Sequence, residues 1–161
     1  MKKKHTILIA LVLAILAAIF GVPGEETAQA PSTEEIVAAQ VLDDGSALIT
    51  ADGIYTSKED VAQYIHTYGC LPQNFMTKAE ARDLGWEGGG LEEFAPGMCI
   101  GGDRFGNYEG LLPEDREYTE CDIDTLGAEK RGAKRIVFSD DGLIYYTEDH
   151  YESFELLYGE P

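Results

Sequence analysis

The apolar pattern of this chain changes period once, and that change fixes the class of fold available to it. In "TSKEDVAQYIHTYG", Val61, Tyr64, Ile65 and Tyr68 recur at helical intervals. Thr56 and Glu59 stand before them at capping-box spacing, and Gly69 marks the stop. A second helix is predicted over "TKAEARDLG", with Thr77 as cap, Glu80 reciprocating, Ala81 and Leu84 facing inward and Gly85 at its end. Beyond Trp86 and the glycine-rich "EGGGLEEFAPG" the period becomes two. "CIGGDRF" reads as a strand bulged at its glycines. "EYTECDID" alternates, with Tyr118, Glu120 and Asp122 on one face and Thr119, Cys121 and Ile123 on the other. "RIVFS" and "LIYYTE" flank Asp140-Asp141-Gly142, a hairpin signal, and "SFELLY" supplies a last strand. Helices followed by strands predict an α+β fold, with N-terminal helices packed on one face of a twisted antiparallel sheet.

This folded domain is expected over residues 56–161. Ahead of it, Lys2, Lys3 and Lys4 precede a charge-free run from Thr6 to Val22, and "AQA" (Ala28 to Ala30) offers small residues to a peptidase. That is the pattern of a secretory signal over residues 1–30. The apolar run is shorter than the roughly 20 residues that span a bilayer. Pro31 is a poor residue to follow a cut, so an uncleaved anchor is the alternative. Residues 31–55, acidic and rich in small side chains, read as a linker or pro-segment.

From residue 31 onward, nine Lys and Arg face twenty-eight Asp and Glu, a formal charge of 9 − 28 = −19. Such a balance favours solubility and repels polyanions at long range. It does not exclude a local basic cluster, and "EKRGAKR" (Glu129 to Arg135) holds four of those nine cations. Cys70, Cys99 and Cys121 make an odd count at a spacing that fits no zinc pattern. One bridge with a free thiol and an intermolecular pair both stay open in an exported chain.

Of three histidines, His5 lies in the leader and His66 on the first helix. His150 falls within "EDHYE", among three carboxylates, in the turn between the last two strands. Acidic neighbours favour a protonated imidazole. Lys78 belongs to the first turn of the second helix, where free amides favour an anion. Taken singly, each has a commoner reading: a solvated histidine, a surface lysine, and in Glu120 an outward-facing strand charge.

The order of motifs changes that balance. "HTYGCLPQNFMTKAEARDLGW", "APGMCIGGDRFGNYEGLLP", "REYTECDID" and "KRIVFSDDGLIYYTEDHY" together resemble the barnase family of secreted bacterial ribonucleases, from about Tyr55 to Tyr158. The resemblance implies a secreted endoribonuclease that cuts single-stranded RNA after guanosine without metal or cofactor. It implies a monomer and a barstar-like intracellular inhibitor protein as partner. It places Glu120 as general base, His150 as general acid, and Lys78, Arg131 and Arg135 on the reacting phosphate. Asn107 and Glu109 fall on the guanine-reading loop, and Tyr151 on the substrate side. The alternatives are a catalytically silent module of the same fold and a membrane-tethered, toxin-like nuclease. Two departures from the family's best-known member stand out: Tyr108 where it has an arginine in the guanine loop, and Gly106 in place of a serine. The acidic balance is a third, and it is expected to weaken electrostatic capture of RNA.

Overall fold

The computed structural model describes residues 48–161; the predicted signal, and the linker up to residue 47, lie outside the described residues. The rest of the predicted linker is tied to the domain by hydrogen bonds. Tyr68 donates to the Ile49 carbonyl at 3.3 Å, Tyr64 to that of Ala51 at 2.9 Å, and Gln73 to that of Asp52 at 2.7 Å. Ordered structure therefore begins ahead of the expected boundary at residue 56.

Helix α1 (Lys58–Tyr68) is capped by Ser57, whose hydroxyl accepts from the Asp60 amide at 3.2 Å, and not by Thr56 as the sequence spacing predicts. The Thr56 hydroxyl, the group that would cap, instead accepts from the Leu126 amide at 3.5 Å, and its carbonyl accepts from the Asp124 amide at 2.8 Å. Gly69 ends the helix in the left-handed conformation, its amide returning to Ile65. Helix α2 (Lys78–Asp83) has the predicted capping box between Thr77 and Glu80. It stops at Asp83, one residue short of bringing Leu84 inward; Leu84 is 52% exposed.

Six strands follow in spatial as well as chain order: β1 (Phe75–Met76), β2 (Cys99–Phe105), β3 (Tyr118–Asp122), β4 (Arg135–Ser139), β5 (Ile144–Thr147) and β6 (Glu155–Tyr158). All neighbours are antiparallel except β1 and β2, which run parallel because a crossover containing α2 joins them. The predicted bulge lies between Gly101 and Asp103.

Alternation along β3 and β4 gives the sheet two different faces. On one, Val61, Ala62 and Ile65 of α1 pack against Cys121, Ile123, Ile136, Phe138, Ile144 and Tyr146. On the other, Tyr118, Val137, Leu143 and Tyr145 form a smaller core with Phe105, Tyr151 and Phe154 at its margin. A third cluster, Ala81, Trp86, Leu91, Ala95 and Ile100, sits under the glycine-rich loop. All three cysteines are free; burial pushes the Cys99 and Cys121 thiols up, so both stay protonated, while Cys70 is exposed. Among the described residues no helix is long and apolar enough to cross a membrane.

Candidate active site

The polar residues gather on the face turned away from α1, at the end where the second apolar core stops. Glu120 stands opposite Asp103 on β2 and Val137 on β4. One step along, Asp122 stands opposite Arg135, and Arg135 opposite Thr147 of β5. Residues paired in register share a face, so a polar row crosses three strands beside Glu120.

Glu120 is 8% exposed, and both carboxylate oxygens are occupied. Lys78 Nζ donates to Oε1 and the Tyr151 hydroxyl to Oε2. A carboxylate so far from water needs such partners. Lys78 is itself held by its backbone, whose amide donates to Asp103 Oδ2 at 2.9 Å, and Nζ lies 4.0 Å from that oxygen. Burial, and then the bond to Glu120, push the Tyr151 phenol well above its ordinary value, so it remains a neutral donor.

Asp122, 1% exposed, organises both arginines. Arg131 grips it with Nε and Nη2 at 2.5 and 2.7 Å. This two-point bond, ahead of the charge itself, raises the Arg131 guanidinium further. Arg131 also lies over the Trp86 ring, 5.8 Å from its centre. Arg135 Nε is 2.9 Å from Asp122 Oδ1 but off the hydrogen-bonding line, so this contact is ionic. Its Nη atoms donate to the carbonyls of Lys134 at 2.6 Å, Gly132 at 3.2 Å and Arg131 at 3.4 Å. Gly90 fixes the loop that carries these cations. Its amide donates to Glu129 at 2.8 Å, and a Cβ there would lie 2.2 Å from the Ala128 carbonyl.

His150 projects from the β5–β6 loop with φ 61°, and Tyr151 follows with φ 75°. Left-handed residues other than glycine cost roughly 1–2 kcal/mol each. The loop supplies the constraint that holds them. Thr147 Oγ1 donates to Asp149 Oδ1 at 2.8 Å and accepts from the Tyr151 amide at 3.0 Å. The Ser153 amide and hydroxyl donate to Asp149 at 3.0 and 2.5 Å. Asp149 thus faces Ser153 and Thr147, and these bonds hold its carboxyl down at about 2. None of Glu148, Asp149 and Glu152 hydrogen-bonds the imidazole among the described residues; Asp149 instead braces the loop that presents His150. The His150 and Tyr151 rings are 4.7 Å apart.

The loop after β2 is clamped from within. Asn107, with φ 46°, donates its side-chain amide to the Leu112 carbonyl at 2.8 Å and accepts from the Leu112 amide at 3.1 Å. Its carboxamide is therefore engaged, and Tyr108 and Glu109 form the exposed tip. Phe105 at the root of this loop lies 5.1 Å from the Tyr151 ring.

A profile of the ribonuclease family matches residues 58–158. Ribonuclease of Bacillus intermedius is 39% identical over 164 aligned positions, covering 96% of this chain and 98% of that protein. Ribonuclease of Heyndrickxia coagulans is 47% identical, with 60% of this chain and 91% of that protein covered. Guanyl-specific ribonuclease St of Saccharopolyspora erythraea is 49% identical over a shorter stretch, 34% of this chain and 56% of its own. The chain belongs to the barnase-like microbial ribonucleases.

In this ribonuclease Lys78, Glu120, Arg131, Arg135 and Tyr151 converge, and Tyr151 links them to His150. The family resemblance implies that Lys78, Arg131 and Arg135 contact the reacting phosphate. In the fold Lys78 pairs with Glu120 and Asp103, while Arg131 and Arg135 share Asp122. Three cations against three carboxylates leave the cluster without formal excess charge. Asp103 and Asp122, the carboxylates that pair with these cations, are not singled out by the sequence. The same-face spacing of Glu120 and Asp122 was a usable signal; Asp103 had none, because its role depends on strand register.

Proposed function

We propose that this ribonuclease is exported and cleaves single-stranded RNA after guanosine. The 2′-oxygen attacks phosphorus as the bond to the 5′-oxygen breaks, leaving a 2′,3′-cyclic phosphate. Glu120 takes the proton from the 2′-hydroxyl, and the His150 imidazolium gives one to the departing 5′-oxygen. In hydrolysis of the cyclic product the two exchange roles, as general acid–base catalysis requires. The nucleophile belongs to the substrate, so the chemistry asks for no metal or cofactor.

The observation that carries this reading is Tyr151, whose hydroxyl bonds Glu120 and whose ring adjoins that of His150. One side chain thus touches both Glu120 and His150, which supports reading the first as proton acceptor and the second as proton donor. Lys78 and Arg131 meet the phosphoryl oxygens by exchanging carboxylate partners for them. Arg135, buried beneath, keeps Asp122 and Arg131 in place and lends its charge. Glu109 accepts from N1 and N2 of guanine, donors that adenine lacks on that edge, and backbone amides at Asn107 reach O6. A purine lacking those donors leaves the site's acceptors unpaired, which discriminates strongly. Residues 1–30 serve as the signal and 31–47 as linker, and a barstar-like protein protects the producing cell. The enzyme acts as a monomer.

The test is cleavage of GpU and ApU by the purified protein in EDTA. Cyclic phosphate should form from GpU far faster than from ApU. His150→Ala and Glu120→Ala should each lose about 10²–10⁴-fold in rate. Equal rates on both dinucleotides would remove the guanine preference. Full activity in either variant would remove its assigned role, and a folded protein inert on both would be the silent module.

A further inference from the structure

Among the described residues only two buried side-chain polar atoms meet no hydrogen-bond partner, Arg135 Nε and Thr125 Oγ1. The first has its ionic contact with Asp122. The second has no such explanation. Thr125, 7% exposed, lies just beyond β3, and its carbonyl accepts from the Ala128 amide at 3.1 Å. The Cys99 thiol adjoins its hydroxyl, but a thiol is a weak partner. A hydroxyl buried without a good partner is costly, and an apolar side chain of the same shape would avoid that cost.

Thr125 forms one wall of a small cavity. Gly90, Leu91, Ile100, Asp122, Lys130 and Arg131 complete the lining, leaving about 10 Å³ for the centre of a water-sized sphere. That is room for one water and for nothing larger. Asp122 offers it an acceptor. Oδ2 takes a hydrogen bond from Arg131 Nε at 2.5 Å, and Oδ1 takes one from Arg131 Nη2 at 2.7 Å. Each carboxylate oxygen can accept two, so Oδ2 keeps capacity for a second donor.

We propose that the cavity holds one ordered water bridging Thr125 Oγ1 to the Asp122 carboxylate, and that Thr125 acts through it as a positioning residue for Arg131. The inference rests on the reading in which Arg131 exchanges Asp122 for phosphoryl oxygens. During that exchange a carboxylate 1% exposed gives up two hydrogen bonds. The water is a donor that stays, and Thr125 holds it in place. A bridging water is enthalpically nearly as good as a direct hydrogen bond. Its benefit falls where Arg131 grips the reacting phosphate, so it appears in kcat and not in KM.

A crystal structure of the purified protein and steady-state cleavage of GpU test this, with the variants Thr125→Val and Thr125→Ser. Parental electron density should show a water within about 3.2 Å of both Thr125 Oγ1 and an Asp122 oxygen. Thr125→Val should lose that water, shift the Arg131 Nε–H resonance and lower kcat about ten-fold, the kinetic equivalent of one hydrogen bond, with KM within about two-fold. Thr125→Ser should restore both kcat and the resonance. Serine fills less space than valine, so its rescue separates the hydroxyl from packing. Density without a water there would overturn the proposal, and so would parental kcat in Thr125→Val or a loss in Thr125→Ser equal to that of valine. If the parent leaves GpU intact, the cleavage reading fails, while the density and the Arg131 resonance still decide this inference. The parental density decides it as well if Thr125→Val does not fold.

Discussion

The two faces of the sheet are made from the same strands and are held in opposite ways. Against α1, Ile136, Phe138 and Cys121 are fixed by close packing, which is non-directional and shared among many neighbours. On the other face Glu120, Asp122 and Arg135 are fixed by named partners at defined angles: Lys78 and Tyr151 hold Glu120, and Asp122 is shared by Arg131 and Arg135. Packing tolerates small losses of volume because its cost scales with the atoms removed. A buried ionic cluster does not, because removing one member strands the rest. The site is therefore the stiffer part in specificity and the more fragile part in stability.

Asp122→Ala should break this comparison most severely. It removes the ion-pair partner that Arg131 and Arg135 share, and loss of one partner from a buried pair costs about 3–5 kcal/mol. Urea melts should register that loss, and kcat should collapse with it; a variant of parental stability would show that the arginines find other partners. On the α1 face, Ile136→Val removes one methylene from a fully buried side chain. It should cost about 1 kcal/mol, while kcat/KM on GpU stays at the parental value. A large activity loss there would mean that the two faces are coupled.

The smallest effect concerns the loop that presents His150. Hydrogen bonds from Ser153 and then Thr147 lower the Asp149 carboxyl from its ordinary 3.8 to about 2. A lowered folded-state value means that the stabilisation is fully present above the ordinary carboxylate range and disappears as pH falls through about 2. The Tyr151 and Ser153 amide resonances should hold steady from pH 6 to 4 and move only in stronger acid. In Asp149→Ala they should be shifted at every pH, with kcat reduced and the melting temperature little changed. Movement near pH 4 in the parent would mean that Asp149 does not clamp the loop.

The parts legible in the sequence were those governed by neighbours along the chain. Thr77 with Glu80, Gly69 as a stop, Asp140-Asp141-Gly142 as a hairpin and the alternation along Tyr118 to Asp122 all depend on spacing within a few residues. The choice of Ser57 over Thr56 as cap was not legible, because the amide of Leu126, far along the chain, meets the Thr56 hydroxyl. Leu84 was misplaced because helix α2 ends one residue before it. At the site, the family resemblance singled out Glu120, His150, Lys78, Arg131 and Arg135, and the fold brings Lys78, Glu120, Arg131 and Arg135 to one face of the sheet. Their pairing into a cluster of balanced charge was hidden, since Asp103 meets Lys78 only through the β2–β3 register.

Local hydrogen bonding and periodicity thus specified helices, strands and the sides of the sheet that β3 presents, because those terms act between residues close in the chain. Which charges neutralise one another, and the turning of Asp149 away from the imidazole it adjoins, were set by the folded arrangement. Coulomb and hydrogen-bond energies depend on distance in space, and strand pairing brings together residues that sequence separation keeps apart.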